Sequence, residues 1–331
     1  MKAVDVKIQD ERVQTVNYTG RSLMVTKAKI LITGAPGGTQ GATAGKIVEM
    51  ALERGIPIAA LVRNHDDRSK RLADLGAEIV IGDLLNLQDV ISATSGRDTV
   101  FFCYPVRPGL LEASSIMAYA AWEAKLKLVV NLSQGSAVRW SPSPTGRKHW
   151  LSERIFSAAK IPTFNLRGGV FYENIFRQFA AGINENSELR APFADGSSYV
   201  PLVAAADISK AALEALLNPQ RHAGKTRFVV NELLSLNEIA KATSQCLNRK
   251  VVYKEVSIDE WMNEASQRED VATGNLEQLQ HLNMLWQHLL LSNKSGFLPF
   301  LRMLLSLRGF FAKSDKVKID SWLEAKKALF N

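Results

Sequence analysis

Only two cysteines occur in 331 residues, Cys103 and Cys246, and their spacing fits no zinc motif. A disulfide scaffold and a thiolate metal site are thereby excluded, and a reducing compartment, the cytoplasm, is expected. No run of about 18 uncharged apolar residues exists, so no membrane-spanning helix is expected. The first 27 residues carry Asp5, Asp10, Glu11 and Arg12 and lack the apolar core of a secretory signal. Met24 stands just ahead of the first convincing strand, and residues 1–23 read as an extension or upstream start with little role in the fold. A net charge of +8 raises the question of nucleic acid, yet no helix-turn-helix signature or aromatic-interleaved basic repeat accompanies it. Much of the excess lies at the end: Lys294 to Asn331 holds eight basic and three acidic residues. Such a tail reads as a solvated basic face, and no nucleic-acid partner is expected.

What is present is an ordinary globular composition, 46% hydrophobic and 22% charged, enough for a sizeable core. Short β-branched runs alternate with helical patterns from Lys29 to Val170. Strands are expected at Lys29–Thr33, Ile58–Val62, Glu78–Ile81, Thr99–Tyr104, Leu128–Leu132 and Thr163–Arg167. Helices are expected between them, at Thr43–Arg54, Arg68–Leu75, Leu87–Ser95, Leu110–Ala124 and His149–Ala159, with Gly55 and Gly76 as stops. Nearly continuous apolar strands at this pace predict an α/β fold, a doubly wound parallel Rossmann sheet.

The rhythm changes after about Gly169. Helices are expected at Asp207–Leu217, Leu236–Leu247 and from Ile258, with short strands at Arg227–Val230 and Val251–Val256. The expected organisation is an N-terminal extension (1–27), a nucleotide-binding domain (28–170) and a smaller, mostly helical substrate or partner domain (171–331) interleaved with it. Its apolar, basic helical tail starts near 275, with clusters at Leu289–Leu291 and Leu298–Phe311. Arg302 and Arg308 among the leucines and phenylalanines admit a membrane-surface helix, although a packing or dimer helix is the commoner meaning.

The first strand runs into Thr33-Gly34-Ala35-Pro36-Gly37-Gly38-Thr39-Gln40-Gly41 and then a helix. A glycine-rich turn placed there lets backbone N–H groups approach a pyrophosphate, and the helix N-terminus adds partial positive charge. The alternative is a structural βα loop that happens to be rich in glycine. A P-loop is excluded, because Lys46 lacks the preceding glycine spacing and no Ser or Thr follows it. The second strand ends Leu61-Val62-Arg63-Asn64-His65 with no acid to accept from a ribose 2′-OH. Arg63, helped by Arg68, can pair instead with a 2′-phosphate, which selects NADP(H) over NAD; otherwise Arg63 is a solvent-facing cation. At the third strand Asp83 suits the adenine amine and Leu84 the ring, or Asp83 caps the next helix. Tyr104 and Pro105 close the fourth strand, where a dinucleotide would pass.

Together these residues resemble the NmrA-like branch of the atypical short-chain dehydrogenases. The matching pieces are Thr33–Gly37 with Gln40-Gly41, Ala60–Arg63, Gly82–Leu84, Asn131–Ser133, and Leu166–Gly169 with Phe171–Asn174, over roughly residues 28–260. The resemblance implies an NADP-binding domain with a small C-terminal substrate domain, and it brings Ser133 and Gly168 into the site. It also implies either reductase chemistry on quinone, azo or enone compounds, or redox sensing without turnover. One element of the wider group is missing. The Tyr-x-x-x-Lys pair, a proton donor and the lysine that lowers its pKa, has no counterpart here. Thr145 falls where tyrosine would be. His149 stands four residues before Glu153, where NmrA-like relatives often carry lysine. His149 is the candidate to bind the nicotinamide ribose or give a proton at neutral pH, or it only packs the helix start. Lys148 beside it is the other candidate, and Ser133 completes the set.

Two functions follow. One is an NADPH-dependent oxidoreductase acting on a small conjugated acceptor, for which positioning matters more than a strong acid. The other is a non-catalytic NADP(H) sensor acting through a protein partner. A homodimer is compatible with both.

Overall fold

The computed structural model describes residues 13–18, 21–26, 28–36, 43–267, 276–297 and 316–330. Gly37, Gly38, Thr39, Gln40 and Gly41 of the glycine turn lie outside the described residues, as does the tail segment 298–315. Strands β1 (Val13–Tyr18) and β2 (Arg21–Thr26) form an antiparallel pair of their own, which the sequence reading of this stretch as an extension did not include.

The main sheet has seven parallel strands. Its members are β3 (Ile30–Thr33), β4 (Ile58–Val62), β5 (Glu78–Ile81), β6 (Thr99–Phe102), β7 (Leu128–Gln134), β8 (Thr163–Gly168) and β12 (Thr226–Val229). Their order is β12-β8-β7-β6-β3-β4-β5. Alternate residues of the inner strands enter different cores, and this is why those strands are apolar throughout. Ile30 and Ile32 pack with α1 (Thr43–Leu52) and α7 (Ala205–Leu217), whereas Leu31 packs with α3 (Leu87–Thr94), α4 (Leu110–Glu123) and α5 (Pro144–Ala158). Phe101 faces the first group, and Val100 and Phe102 the second. The remaining crossover helix, α2 (Asp67–Asp74), runs between β4 and β5.

Helix α5 starts at Pro144, five residues before the expected His149. Ser143 caps it, accepting from the Gly146 N–H at 3.3 Å, and proline occupies the first turn, where its missing N–H costs nothing. The apolar rhythm begins only at Trp150, beyond this cap.

The second region was read least completely. β9 (Val170–Phe171), β11 (Tyr199–Val203) and β13 (Glu232–Ser235) make a three-stranded sheet, and β10 (Glu188–Ala191) pairs with β14 (Val252–Glu255). Helix α6 (Tyr172–Asn186) was not expected, although Tyr172, Ile175, Phe176, Phe179 and Ile183 form a regular buried stripe. It joins α9 (Leu236–Leu247), α10 (Ile258–Ser266), α11 (Leu276–Lys294) and α12 (Ile319–Ala325) around a separate hydrophobic core; a short α8 (Pro219–His222) leads into β12.

Polar anchors hold the C-terminal stretch around Val317 and Ile319 against the rest of the chain. The Asn231 amide donates to Asp207 Oδ2 at 2.6 Å, and the Val317 N–H to the same oxygen at 2.9 Å. Tyr172 Oη and the Ile319 N–H both donate to Glu232 Oε2, at 2.6 and 2.7 Å. Trp322 then stacks on Phe176 at 5.0 Å. Strand β12 and helix α7, both later in the chain, return to the main sheet.

Candidate functional site

The strand order reverses between β3 and β6, leaving a crevice beyond their C-terminal ends. Thr33 clips the two strands: its Oγ1 accepts from the Cys103 N–H at 2.9 Å and donates to the Cys103 carbonyl at 3.2 Å. Gly34 then turns at φ +73°, a conformation a side chain would strain. The crevice opens into a cavity of about 980 Å³, lined by Gly34, Pro36 and the first residues of α1, Thr43 and Ala44.

One end of the cavity lies at the strand tips. Arg63 is exposed there, directly after β4. Arg68 also lines it, but its guanidinium donates to Asp66 from Nε at 3.0 Å and from Nη2 at 2.5 Å. Asp66 is itself the N-cap of α2 in a capping box with Ser69, and the Arg68 hydrogen bond holds its carboxyl below the usual range. Asp83 Oδ1 accepts from the Leu85 N–H at 2.9 Å, closing a turn. Asp83 does not cap α3; Asn86 does, because it stands immediately before the first helical residue and reaches the Gln88 and Asp89 N–H groups. Leu84 is half-buried beside it, and Pro105 is exposed. The Tyr104 ring is buried, its hydroxyl donating to the Pro108 carbonyl at 2.9 Å and its face covered by Arg107 at 5.3 Å. Gly109 is forced by this arrangement, since a Cβ there would come within 2.4 Å of the Tyr104 hydroxyl.

The other end is deep and lined by residues distant in sequence. Ser133, at the end of β7, donates to Glu153 Oε1 at 2.7 Å, and Arg167 grips both oxygens of Glu153 at 2.9 and 2.6 Å. Glu153 is 1% exposed, so this is a buried, bidentate pair. Gly168 also lines the cavity.

His149 lies here too, and its Nδ1 makes no hydrogen bond within the protein. Burial, reinforced by His281, pushes its pKa down to about 3; the ring is neutral at pH 7 and offers hydrogen bonds, not a stored proton. Lys148 does not line the cavity. Thr145 is buried in the first turn of α5 and does not line it either.

The structure adds residues that the sequence reading missed. Helix α11 forms a wall of the cavity through His281, Leu282, Leu285, Trp286, His288, Leu289 and Ser292, one face at helical spacing. His281 is pinned by a 2.8 Å hydrogen bond between its Nδ1 and Ser143 Oγ, the cap of α5, and burial lowers its pKa to about 4. Asn174 and Arg177 contribute from α6, and Gln134 and Ser136 from the end of β7. The 281/285/288/292 spacing was visible, but nothing local says whether such a face meets a core or a cavity. Among the described residues no helix is long and apolar enough to cross a membrane, and no group of three or more metal-ligating side chains occurs.

Comparison with known proteins agrees with this architecture. The NmrA-like family model matches residues 26–288. The NAD(P)H azoreductase of Xenophilus azovorans is 28% identical over 227 residues, spanning 68% of this chain and 77% of that protein. Among solved structures, the NADPH-dependent quinone oxidoreductase of Escherichia coli, in complex with NADPH, superposes with a TM-score of 0.70 at 22% identity, over 91% of this chain and 100% of that one. Nmra, a negative transcriptional regulator, gives 0.70 at 19% identity, over 90% and 95%. These two likenesses show a shared fold. With the family model covering most of its length, the chain belongs to the NmrA-like family.

Proposed function

We propose that the protein binds NADP(H) and reduces a small conjugated acceptor of quinone, azo or enone type. The observation that carries this reading is continuity. A single cavity starts at the strand tips bearing Arg63 and Asp83, passes Gly34 and the N-terminus of α1, and ends against His149 and α11. A dinucleotide suits the first stretch and a flat acceptor the second.

The residues fit that cofactor. Gly34 and the N-terminus of α1 suit the pyrophosphate, Arg63 a 2′-phosphate, Asp83 and Leu84 the adenine, and Tyr104 and Pro105 the passage beyond it. Gln134 Nε2, Ser136 Oγ and His149 Nδ1 are buried polar atoms without a hydrogen bond in the protein, and they suit a group rich in hydroxyls and amide. Ser133, His149 and Gly168 then hold the nicotinamide end. When bound, a reduced nicotinamide supplies a hydride. The acceptor gains that hydride and one proton; with His149 neutral, the proton comes from water, which a conjugated acceptor tolerates because the added charge is delocalised. The names of the Xenophilus azovorans and Escherichia coli proteins support this reaction class.

A second reading, a sensor working through a protein partner, draws on Thr145 buried away from the cavity where the tyrosine would be, and on the likeness to Nmra. One experiment separates them. NADPH and NADP⁺ are titrated by fluorescence, then NADPH oxidation is followed against quinones, azo dyes and enones. Turnover with any of them supports the reductase. Tight binding with no oxidation across the panel sinks it in favour of the sensor, and no binding sinks both.

A further inference from the structure

Neighbours in register on parallel strands point their side chains to the same side of the sheet. Ser133 on β7, Arg167 on β8 and Phe228 on β12 are such neighbours, one row across three strands, and all three line the cavity. Glu153 stands behind the row, buried and outside the lining. It takes the Ser133 hydroxyl and one edge of the Arg167 guanidinium, Nε and Nη2. The remaining nitrogen, Nη1, points away from that edge and carries two N–H donors. It has no hydrogen-bond partner in the protein, yet it is not one of the buried polar atoms in that condition. Nη1 is therefore open to solvent, on a side chain 22% exposed. Asn174, Gln178, His288 and Ser292 also line the cavity and carry acceptor atoms, but none of them accepts from Arg167. The carboxylates lining the cavity among the described residues, Asp66 and Asp83, stand at the strand tips. Because Glu153 balances its charge, Arg167 offers the cavity N–H groups and not an unpaired cation, which suits a neutral oxygen.

Phe228 adds an apolar face beside these donors. Its ring lies over Gly135, where a Cβ would come within 2.5 Å of it, yet the residue is 50% exposed. Phe228 and Phe297 are the two exposed large apolar side chains lining the cavity among the described residues, and Phe228 is the one in the row with Arg167. We propose that Arg167 and Phe228 form the subsite that selects the acceptor: a flat conjugated ring lies against Phe228, and its carbonyl oxygen accepts from Arg167 Nη1. A conjugated carbonyl oxygen is a stronger hydrogen-bond acceptor than an azo nitrogen, so quinones and enones are preferred to azo compounds. The proposal rests on reading this end of the cavity as the acceptor site.

The test deletes the two contacts separately. Equilibrium dialysis in the presence of NADP⁺ gives the affinities of 2,3-dimethyl-1,4-naphthoquinone and of 2,3-dimethylnaphthalene, the same carbon skeleton without oxygens. The full chain is compared with its Arg167→Lys and Phe228→Ala variants. Lysine keeps a positive charge for Glu153 and lacks Nη1. Arg167→Lys should lower the quinone-to-hydrocarbon affinity ratio about tenfold, the worth of one hydrogen bond to a charged group, and change the hydrocarbon affinity less than about twofold. Phe228→Ala should weaken both ligands about tenfold and leave their ratio within about twofold, since stacking does not need the oxygen. An unchanged ratio in Arg167→Lys overturns the proposal, as does an equal loss of both ligands, which a merely structural arginine would give. Unchanged affinities in Phe228→Ala overturn it as well. If Arg167→Lys fails to fold in a thermal scan, the double variant Arg167→Met/Glu153→Gln, which leaves no unpaired buried charge, carries the same expectation and the same overturning results. Absence of NADPH oxidation alongside an Arg167-dependent ratio would sink the reductase reading and leave this one standing.

Discussion

At the strand tips, Arg63, Asp66, Arg68 and Asp83 follow β4 and β5 by a few residues and are at least partly open to water. At the far end, Ser133, His149, Asn174 and Trp286 come from four different elements, and all but Asn174 are buried. The first end tolerates an arginine–aspartate contact that solvent weakens; at the second, Arg167 is held bidentately by the buried Glu153, and His149 and His281 are kept neutral. The difference teaches where a charge can be left waiting for a ligand. In water Arg63 waits at little cost, whereas inside the protein the Glu153 carboxylate is already fully engaged by Arg167 and Ser133.

The largest expected break in this contrast comes from Glu153→Ala, which strips Arg167 and Ser133 of their buried partner. A loss of about 3 kcal/mol in unfolding free energy is expected by urea titration. A loss below about 1 kcal/mol would mean that the deep end handles charge as loosely as the strand tips. Next, Arg63→Ala should weaken NADPH ten- to a hundredfold and leave NADH unchanged, the worth of about 1.5–3 kcal/mol in charge-assisted hydrogen bonds. Equal binding of NADPH and NADH by the wild type would make Arg63 a surface cation only.

Acid should distinguish the two ends as well. His149 and His281 have folded-state pKa values of about 3 and about 4, below an unfolded value of about 6.5. Their contribution is therefore complete above pH 6.5 and is lost as pH falls towards those values. At pH 5 each costs up to about 2 kcal/mol of stability. Denaturant midpoints measured from pH 7 to pH 5 should fall, and His149→Leu should fall less steeply; a flat wild-type profile would show that these rings are not held neutral. The smallest effect belongs to Arg68→Ala. Because Asp66 already engages this exposed arginine, NADPH affinity should change less than about threefold. A loss matching that of Arg63→Ala would show that the phosphate draws Arg68 away from its aspartate.

Much of the strand-tip end was legible beforehand. Strands β4 and β5 were read to the residue; β4, buried at every position, writes itself as an unbroken apolar run, and β5 is the partly exposed edge strand that follows the Gly76 stop. Gly55 and Gly76 stand at φ +67° and +99°, where the helices were expected to stop. Two signals were present but unread: the Ser143-Pro144 cap that starts α5, and the buried stripe of α6.

The sequence by itself determined the alternating strands and helices of the first region, and with them the α/β class, since backbone periodicity, capping and helix stops act over a handful of residues. Tertiary structure alone decided that β12 returns to the edge of the main sheet and that Asp66 engages Arg68. It also decided that His281 bonds to Ser143, 138 residues earlier, and that one face of α11 lines the cavity. An apolar helical face is the same string of residues whether it covers a core or a ligand site. Which one it meets depends on where the rest of the chain has packed, and no local pattern carries that information.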